Sequence, residues 1–196
     1  MKNNNNLDSL PIVNKRNYIL FTVGIFLTFL IFGFSDNIRG TAIPRIQAEF
    51  FLSELHLGLL LAINSVGYLI GCTLTTSISD KIGIKYSHIL GLVLIAVAGV
   101  FIFFAPNFPL VMASFFAMSF GFGVVEISVG VLAAKIFTKN TGTMMNLAHF
   151  AFGAGSVIAP MISTTIMMAR FGSQIASWRY VYLIALSFAL IPTVLF

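Results

Sequence analysis

The feature that most constrains this chain is its repeated alternation of long apolar stretches with short polar breaks. The stretches occupy about residues 18–40, 57–79, 86–105, 110–134, 142–169 and 178–196. A helix needs roughly 20 mostly apolar residues to cross a ~30 Å hydrocarbon core, so each reads as a transmembrane helix. Composition agrees: 58% of residues are hydrophobic and 9% charged, where a soluble domain carries about 25% charged residues. The fold class predicted is an all-α membrane protein with six transmembrane helices over residues 18–196. Residues 1–17, with an Asn run and Lys15-Arg16, read as a disordered cytoplasmic tail. The stretch that follows is too long for a cleaved signal peptide.

A net charge of +5 could suggest a nucleic-acid partner. The basic residues, however, are scattered in ones and twos between apolar stretches, where they act as topology signals rather than as a binding patch. With the N-terminus inside, Lys2, Lys15, Arg16, Lys81, Lys85, Lys135 and Lys139 fall on the cytoplasmic side, and Arg39, Arg45, Arg170 and Arg179 outside. That excess predicts an inner-membrane, multi-pass chain with both ends cytoplasmic. Ser53 is placed to cap the second helix, Pro106-Asn107-Phe108-Pro109 closes the third, and Pro160 falls where a membrane helix can kink.

Metal and enzyme readings fail. His56, His88 and His149 lie in different segments without a ligand partner at suitable spacing, and no nucleophile or metalloprotease motif occurs. The single Cys72 has no disulfide partner and reads as a small packing residue. The 21 phenylalanines read as lipid-facing or helix-packing bulk. No metal and no cofactor is expected.

Small residues recur at helix-packing spacing: Gly67 and Gly71, Gly121 and Gly123, Gly153 and Gly155. In lipid, close backbone approach at such residues supplies much of the packing. There is also an internal echo. Phe32-Gly33-Phe34 before Asp36 matches Phe120-Gly121-Phe122 before Glu126, and Leu61-Ala62 before Gly67 matches Leu147-Ala148 before Gly153. Three helices followed by three related ones of opposite direction is the inverted-repeat plan of secondary transporters.

Between Lys85 and Lys135 the only Asp, Glu, Lys or Arg is Glu126, well inside the fourth stretch. At that depth an anion costs at least a few kcal/mol, so the carboxyl is either protonated or faces a polar pathway. No basic residue lies within a helical turn to neutralise it, so it is suited to taking up and releasing a proton. Asn64 and Tyr68 share a helix face, as do Asn146 and His149. Hydroxyls, amides and one carboxylate converging in a bundle suit a neutral, hydroxyl-rich solute; the amides and His149 serve equally as interhelical hydrogen bonds. Asp36 and Arg39 are one turn apart and can pair with each other.

The six-span layout, the loop Ser79-Asp80-Lys81-Ile82-Gly83-Ile84-Lys85 and Pro160 resemble the N-terminal half of a major facilitator superfamily transporter. The superfamily's loop pattern, Gly-x-x-x-Asp-Arg/Lys-x-Gly-Arg-Lys/Arg, is met by Asp80, Lys81, Gly83 and Lys85, with Thr76 and Ile84 departing from it. The resemblance implies that this loop latches a cytoplasmic gate, with Asp80 foremost. Gly121 to Glu126 and Asn146 to Gly155 are similar to the fucose-proton symporter family of sugar permeases. That likeness implies a role for Glu126 in the sugar site and in proton coupling. The same family carries an acid in its first helix just before a proline; here Asp36 precedes Pro44 by about one turn more.

The resemblance implies proton-coupled uptake of a sugar or similar small solute by alternating access, with protons and a lipid bilayer as partners and no nucleic acid. Family members have twelve helices in two halves, so this chain corresponds to one. A homodimer or a separate C-terminal half would complete it. Alternatives are a non-transporting fragment or partner subunit, and a drug or metabolite exporter of the same superfamily.

Overall fold

The computed structural model describes residues 15–171, 174–175 and 177–196; residues 1–14 of the expected tail lie outside that description. Helix α1 (Lys15–Asn37) takes in the last tail residues, and through Ile38 α2 (Arg39–Phe50) carries the rod onward. The two form span 1, Arg16–Phe50, which passes well beyond residue 40, where the apolar stretch gives out. Packing explains the extension: α2 buries Ala42 and Ile46 against the bundle, although Pro44 in its interior leaves the Gly40 carbonyl without a helical partner. Phe51, at φ 51°, ends the helix, and its N–H bonds the Gln47 carbonyl.

Span 2 is α3 (Glu54–Ile82), span 3 is α4 (Ile84–Phe104), span 4 is α5 (Phe108–Ile136) and span 5 is α6 (Thr141–Met168). Span 6 is α7 (Trp178–Ser187), continued by 3-10 turns at Phe188–Leu190 and Pro192–Leu195. Two-residue strands β1 (Arg170–Phe171) and β2 (Gln174–Ile175) pair between spans 5 and 6. All six spans are long and apolar enough to cross a membrane.

The turns follow from local chemistry. Asn107 caps span 4, its side chain accepting the Leu110 N–H at 3.0 Å, with Pro109 in the first turn, where no N–H is needed. Gly83, at φ 83°, is the single-residue break between spans 2 and 3, a conformation that favours glycine. Ser53 holds the cap position of span 2, but its hydroxyl pairs with His56 Nδ1 at 2.7 Å instead of with a backbone N–H.

Span 4 packs along spans 2 and 3, span 1 along span 5, and span 3 along span 6. Phe115, Met118, Ile102 and Tyr182 are fully buried where spans 3, 4 and 6 meet. Spans 2 and 5 are the least covered, with 22% of their most apolar window buried against 39–56% in the others.

Two crossings organise the bundle. Gly33 of span 1 lies against the Phe152 carbonyl of span 5, and Gly155 of span 5 against the Leu30 carbonyl of span 1; a Cβ at either would collide with that backbone. Gly123 of span 4 stands in the same way on the Tyr68 carbonyl of span 2, and Gly71 on that of Phe120. A shift of 90 carries Leu30 and Gly33 onto Phe120 and Gly123, and a shift of 84 carries Tyr68 and Gly71 onto Phe152 and Gly155. The inverted repeat is therefore built into the contacts, with a register two residues away from the sequence echo. In the corrected register Asp36 falls on Glu126, each three residues after a crossing glycine. Gly153, expected to pack, faces open space.

Candidate functional site

Glu126 follows the Gly123 crossing by one turn and is half-buried on span 4. That crossing brings span 2 alongside, and Tyr68 and Glu126 lie within electrostatic reach of each other. His149 of span 5 and Asp36 of span 1 lie within its electrostatic reach. Three of the other five candidate residues read from the sequence thus lie around one carboxylate, and the four together come from four spans. Tyr68 is 36% exposed and His149 is exposed, so the group opens onto the poorly covered side of spans 2 and 5. His149 also packs edge-on against Phe29, with ring centroids 5.0 Å apart.

The other two stand apart. Asn64 is 3% exposed, and its Oδ1 accepts a 2.7 Å hydrogen bond from Ser119 in the seam between spans 2 and 4. One helical turn from Tyr68, it has rotated into that seam and serves as an interhelical contact. Its Nδ2 has no partner among the described residues. Asn146 is exposed on span 5 and makes no side-chain hydrogen bond among the described residues. Asp36 pairs with Arg39 Nη2, while Arg39 Nε donates to the Asp36 carbonyl at 3.0 Å. The local ion pair read from the sequence is present.

At the end of the bundle bearing Lys81, Lys85 and Lys135, the loop residues surround a cavity of about 1200 Å³. Asp80 and Lys81 are exposed and form no ion pair among the described residues. Lys85 Nζ sits 5.8 Å from the Phe21 ring centroid and 5.9 Å from that of Tyr86.

Two polar constructions escaped sequence reasoning. His88, fully buried, joins three spans: its Nδ1 lies 3.1 Å from Ser128 Oγ and its Nε2 3.2 Å from Thr28 Oγ1. Ser128 donates its only hydrogen to the Val124 carbonyl at 2.6 Å, so it accepts from an Nδ1–H, while Nε2 faces the Thr28 hydroxyl. Both ring nitrogens thus have a hydroxyl partner. At the opposite end, Arg179 of span 6 donates to Glu49 at 2.5 Å and to the Ala105 carbonyl at 2.9 Å, and Trp178 Nε1 donates to Glu49 at 2.6 Å. A lone polar residue in an apolar stretch was the available signal for His88; nothing in the sequence paired residues so distant as Glu49 and Arg179.

Comparison with known proteins fits this architecture. The profile of the Major Facilitator Superfamily matches residues 25–196. A probable polyol transporter 6 of Arabidopsis thaliana is 22% identical over 68% of this chain and 27% of its own length. A gentisate transporter of Corynebacterium glutamicum is 27% identical over 89% of this chain and 38% of its own. The chain thus spans well under half the length of these relatives. The solved structure of the proton:xylose symporter XylE bound to 6-bromo-6-deoxy-D-glucose shares the fold with a TM-score of 0.69 at 19% identity, covering 91% of this chain and 44% of that one. A profile that takes in spans 2 to 6 and most of span 1, together with the repeat seen in the glycine crossings, settles the family: the chain belongs to the Major Facilitator Superfamily, a family of transporters and not of enzymes.

Proposed function

We propose that the chain is the N-terminal six-helix half of a secondary carrier that takes up a small hydroxyl-rich solute, of the sugar or polyol class, by proton-coupled alternating access. The observation that carries this reading is the gathering of Tyr68, His149 and Asp36 around Glu126. A protonated Glu126 is a neutral donor to a solute hydroxyl, and its anion is an acceptor, so proton occupancy and solute affinity change together. Tyr68 supplies a hydroxyl and His149 a ring nitrogen beside the same carboxyl. The polyol transporter among the relatives, the fold shared with a xylose symporter and the likeness of 121–126 and 146–155 to fucose-proton symporters all favour this solute class.

In this reading the lysine-bearing end is cytoplasmic, the membrane is the cell membrane, and residues Asp80 to Lys85 form part of the cytoplasmic gate. The bare side of spans 2 and 5 receives a second six-helix unit, either another copy or a separate C-terminal half. The test is uptake of labelled sugars and polyols into proteoliposomes holding the chain, with and without an inward proton gradient, with gentisate in the panel. Gradient-driven uptake of a hydroxylated solute, lost in Glu126→Gln, is the expected result. Gradient-driven uptake that survives in that variant overturns the role given to Glu126. No uptake by folded, inserted chain, alone or with a C-terminal half, assigns it to the non-transporting class.

A further inference from the structure

We propose that Gly130 and Gly153 set the largest solute that the Glu126 site admits, their bare backbone making room for the ring of a cyclic solute. The proposal deepens the transport reading and rests on it. A glycine inside a helix is unfavourable against alanine, so its presence there needs a reason. At Gly33, Gly71, Gly123 and Gly155 the reason is a facing carbonyl. Among the described helical glycines, Gly40, Gly58, Gly130, Gly142 and Gly153 have no such reason, because a Cβ there would meet no atom within 4 Å. Three of these sit near helix starts: Gly40 is second in α2, Gly142 second in α6 and Gly58 fifth in α3. The hydrogen-bond ladder is incomplete there, and a glycine costs less. Gly130 and Gly153 remain, each more than one turn inside its helix.

Both stand beside the site. Gly130 is four residues from Glu126 and Gly153 four from His149, so each shares a helix face with one of them. Those faces are open: Glu126 and Gly130 are half-buried, and His149 and Gly153 are exposed. Spans 4 and 5 run in opposite directions. Gly130 therefore lies ~6 Å from the level of Glu126 toward the lysine-bearing end, and Gly153 ~6 Å from that of His149 toward the other. Contact with acyl chains would give no reason to forgo a methyl group at either position. A sugar ring does give one, because its C–H face lies flat on bare Cα–H surface while its hydroxyls bond the polar side chains at the same level. A three-carbon polyol is short enough to bond Glu126 without reaching either glycine.

The test begins with access. Gly130→Cys and Gly153→Cys, each in a Cys72→Ser background of the full chain in proteoliposomes, are treated with a membrane-impermeant methanethiosulfonate. Both are expected to react, more slowly in saturating hexose and at an unchanged rate in glycerol. The second arm is size preference, measured on the chain alone or with a C-terminal half. Gly130→Ala and Gly153→Ala each lower uptake of six-carbon cyclic solutes by about tenfold relative to glycerol and erythritol, and the corresponding valine variants by on the order of a hundredfold. Melting is unchanged or raised in the alanine variants, which separates this loss from unfolding; where a valine variant does not fold, the alanine variant carries the measurement. Folded cysteine variants that do not react, or equal losses for large and small solutes beside intact wild-type uptake, overturn the proposal alone. No uptake of any hydroxylated solute by the wild type is the failure of the transport reading, and the size proposal falls with it.

Discussion

Arg179 and Glu49 meet at 2.5 Å although 130 residues separate them, and the same guanidinium donates to Ala105. One contact set thus joins the ends of spans 1, 3 and 6. Arg179 also lies over the Trp178 ring, 4.7 Å from its centroid. Charge-assisted bonds of this kind contribute about 1.5–3 kcal/mol when one partner is well buried. Glu49→Ala is expected to destabilise the detergent-solubilised chain by about 2 kcal/mol, and Glu49→Gln by less, because the amide oxygen still accepts from Trp178. A double-mutant cycle with Arg179→Gln checks the pair: a coupling near zero would reduce the contact to a crossing of surface side chains.

The glycine crossings make a sharper distinction. Gly33, Gly71, Gly123 and Gly155 each lie against a carbonyl of the facing helix, whereas Gly130 and Gly153 meet nothing. Alanine at any of the first four must push two helices apart and should cost more than about 2 kcal/mol. Alanine at Gly130 or Gly153 should be neutral, or stabilising by up to ~1 kcal/mol through helix propensity. Thermal melting of the six variants separates the two groups, and equal effects across them would contradict the packing described.

His88 offers a test of the buried clasp. His88→Ala leaves a cavity and strands Thr28 and Ser128 without their partner, so a loss of about 2–4 kcal/mol is expected. Gln at this position, which can both donate and accept, should restore part of that loss. Thr28→Val keeps shape while removing the hydroxyl partner of Nε2, and should cost about 1–3 kcal/mol. Chemical denaturation in mild detergent reads all three; a His88→Gln variant no better than Ala would argue that imidazole volume, not hydrogen bonding, holds the spans.

At the proposed site, Tyr68→Phe keeps the ring and removes the hydroxyl from the group around Glu126. Uptake should fall by roughly fivefold through weaker solute binding, corresponding to one neutral hydrogen bond of about 1 kcal/mol. Asn64→Ala, by contrast, should alter melting but not solute preference, since Asn64 bonds Ser119 in the seam. A change of preference in the Asn64 variant would place that residue in the site after all.

The six spans were legible because bilayer thickness imposes a length and a polarity that few other constraints can mimic. Glu126, Tyr68, His149 and Asp36 were legible as polar groups in apolar stretches. What escaped was register. Short apolar echoes align Gly33 with Gly121, but the physical event is a glycine meeting a carbonyl across a helix pair, and that aligns it with Gly123. The same limit applies to Asn64 and Tyr68: a shared face read from i,i+4 spacing spans enough arc for one to enter a seam and the other to stay open. The reach of α2 and the Glu49–Arg179 contact depend on tertiary packing, which hydropathy does not encode.

Ile38 joins α1 to α2 without leaving the helical path: its φ of −63° and ψ of −22° are right-handed helical, and its carbonyl accepts the Ala42 N–H at 3.2 Å. Beyond it α2 runs for 12 residues to Phe50, which at 1.5 Å per residue is an arm of ~18 Å. Asp36 and Arg39 flank the joint, and Glu49 lies near the tip. The Asp36–Arg39 pair at the joint and the Glu49–Arg179 pair near the far end thus fasten the same arm at both of its ends, one to its own helix and one to span 6.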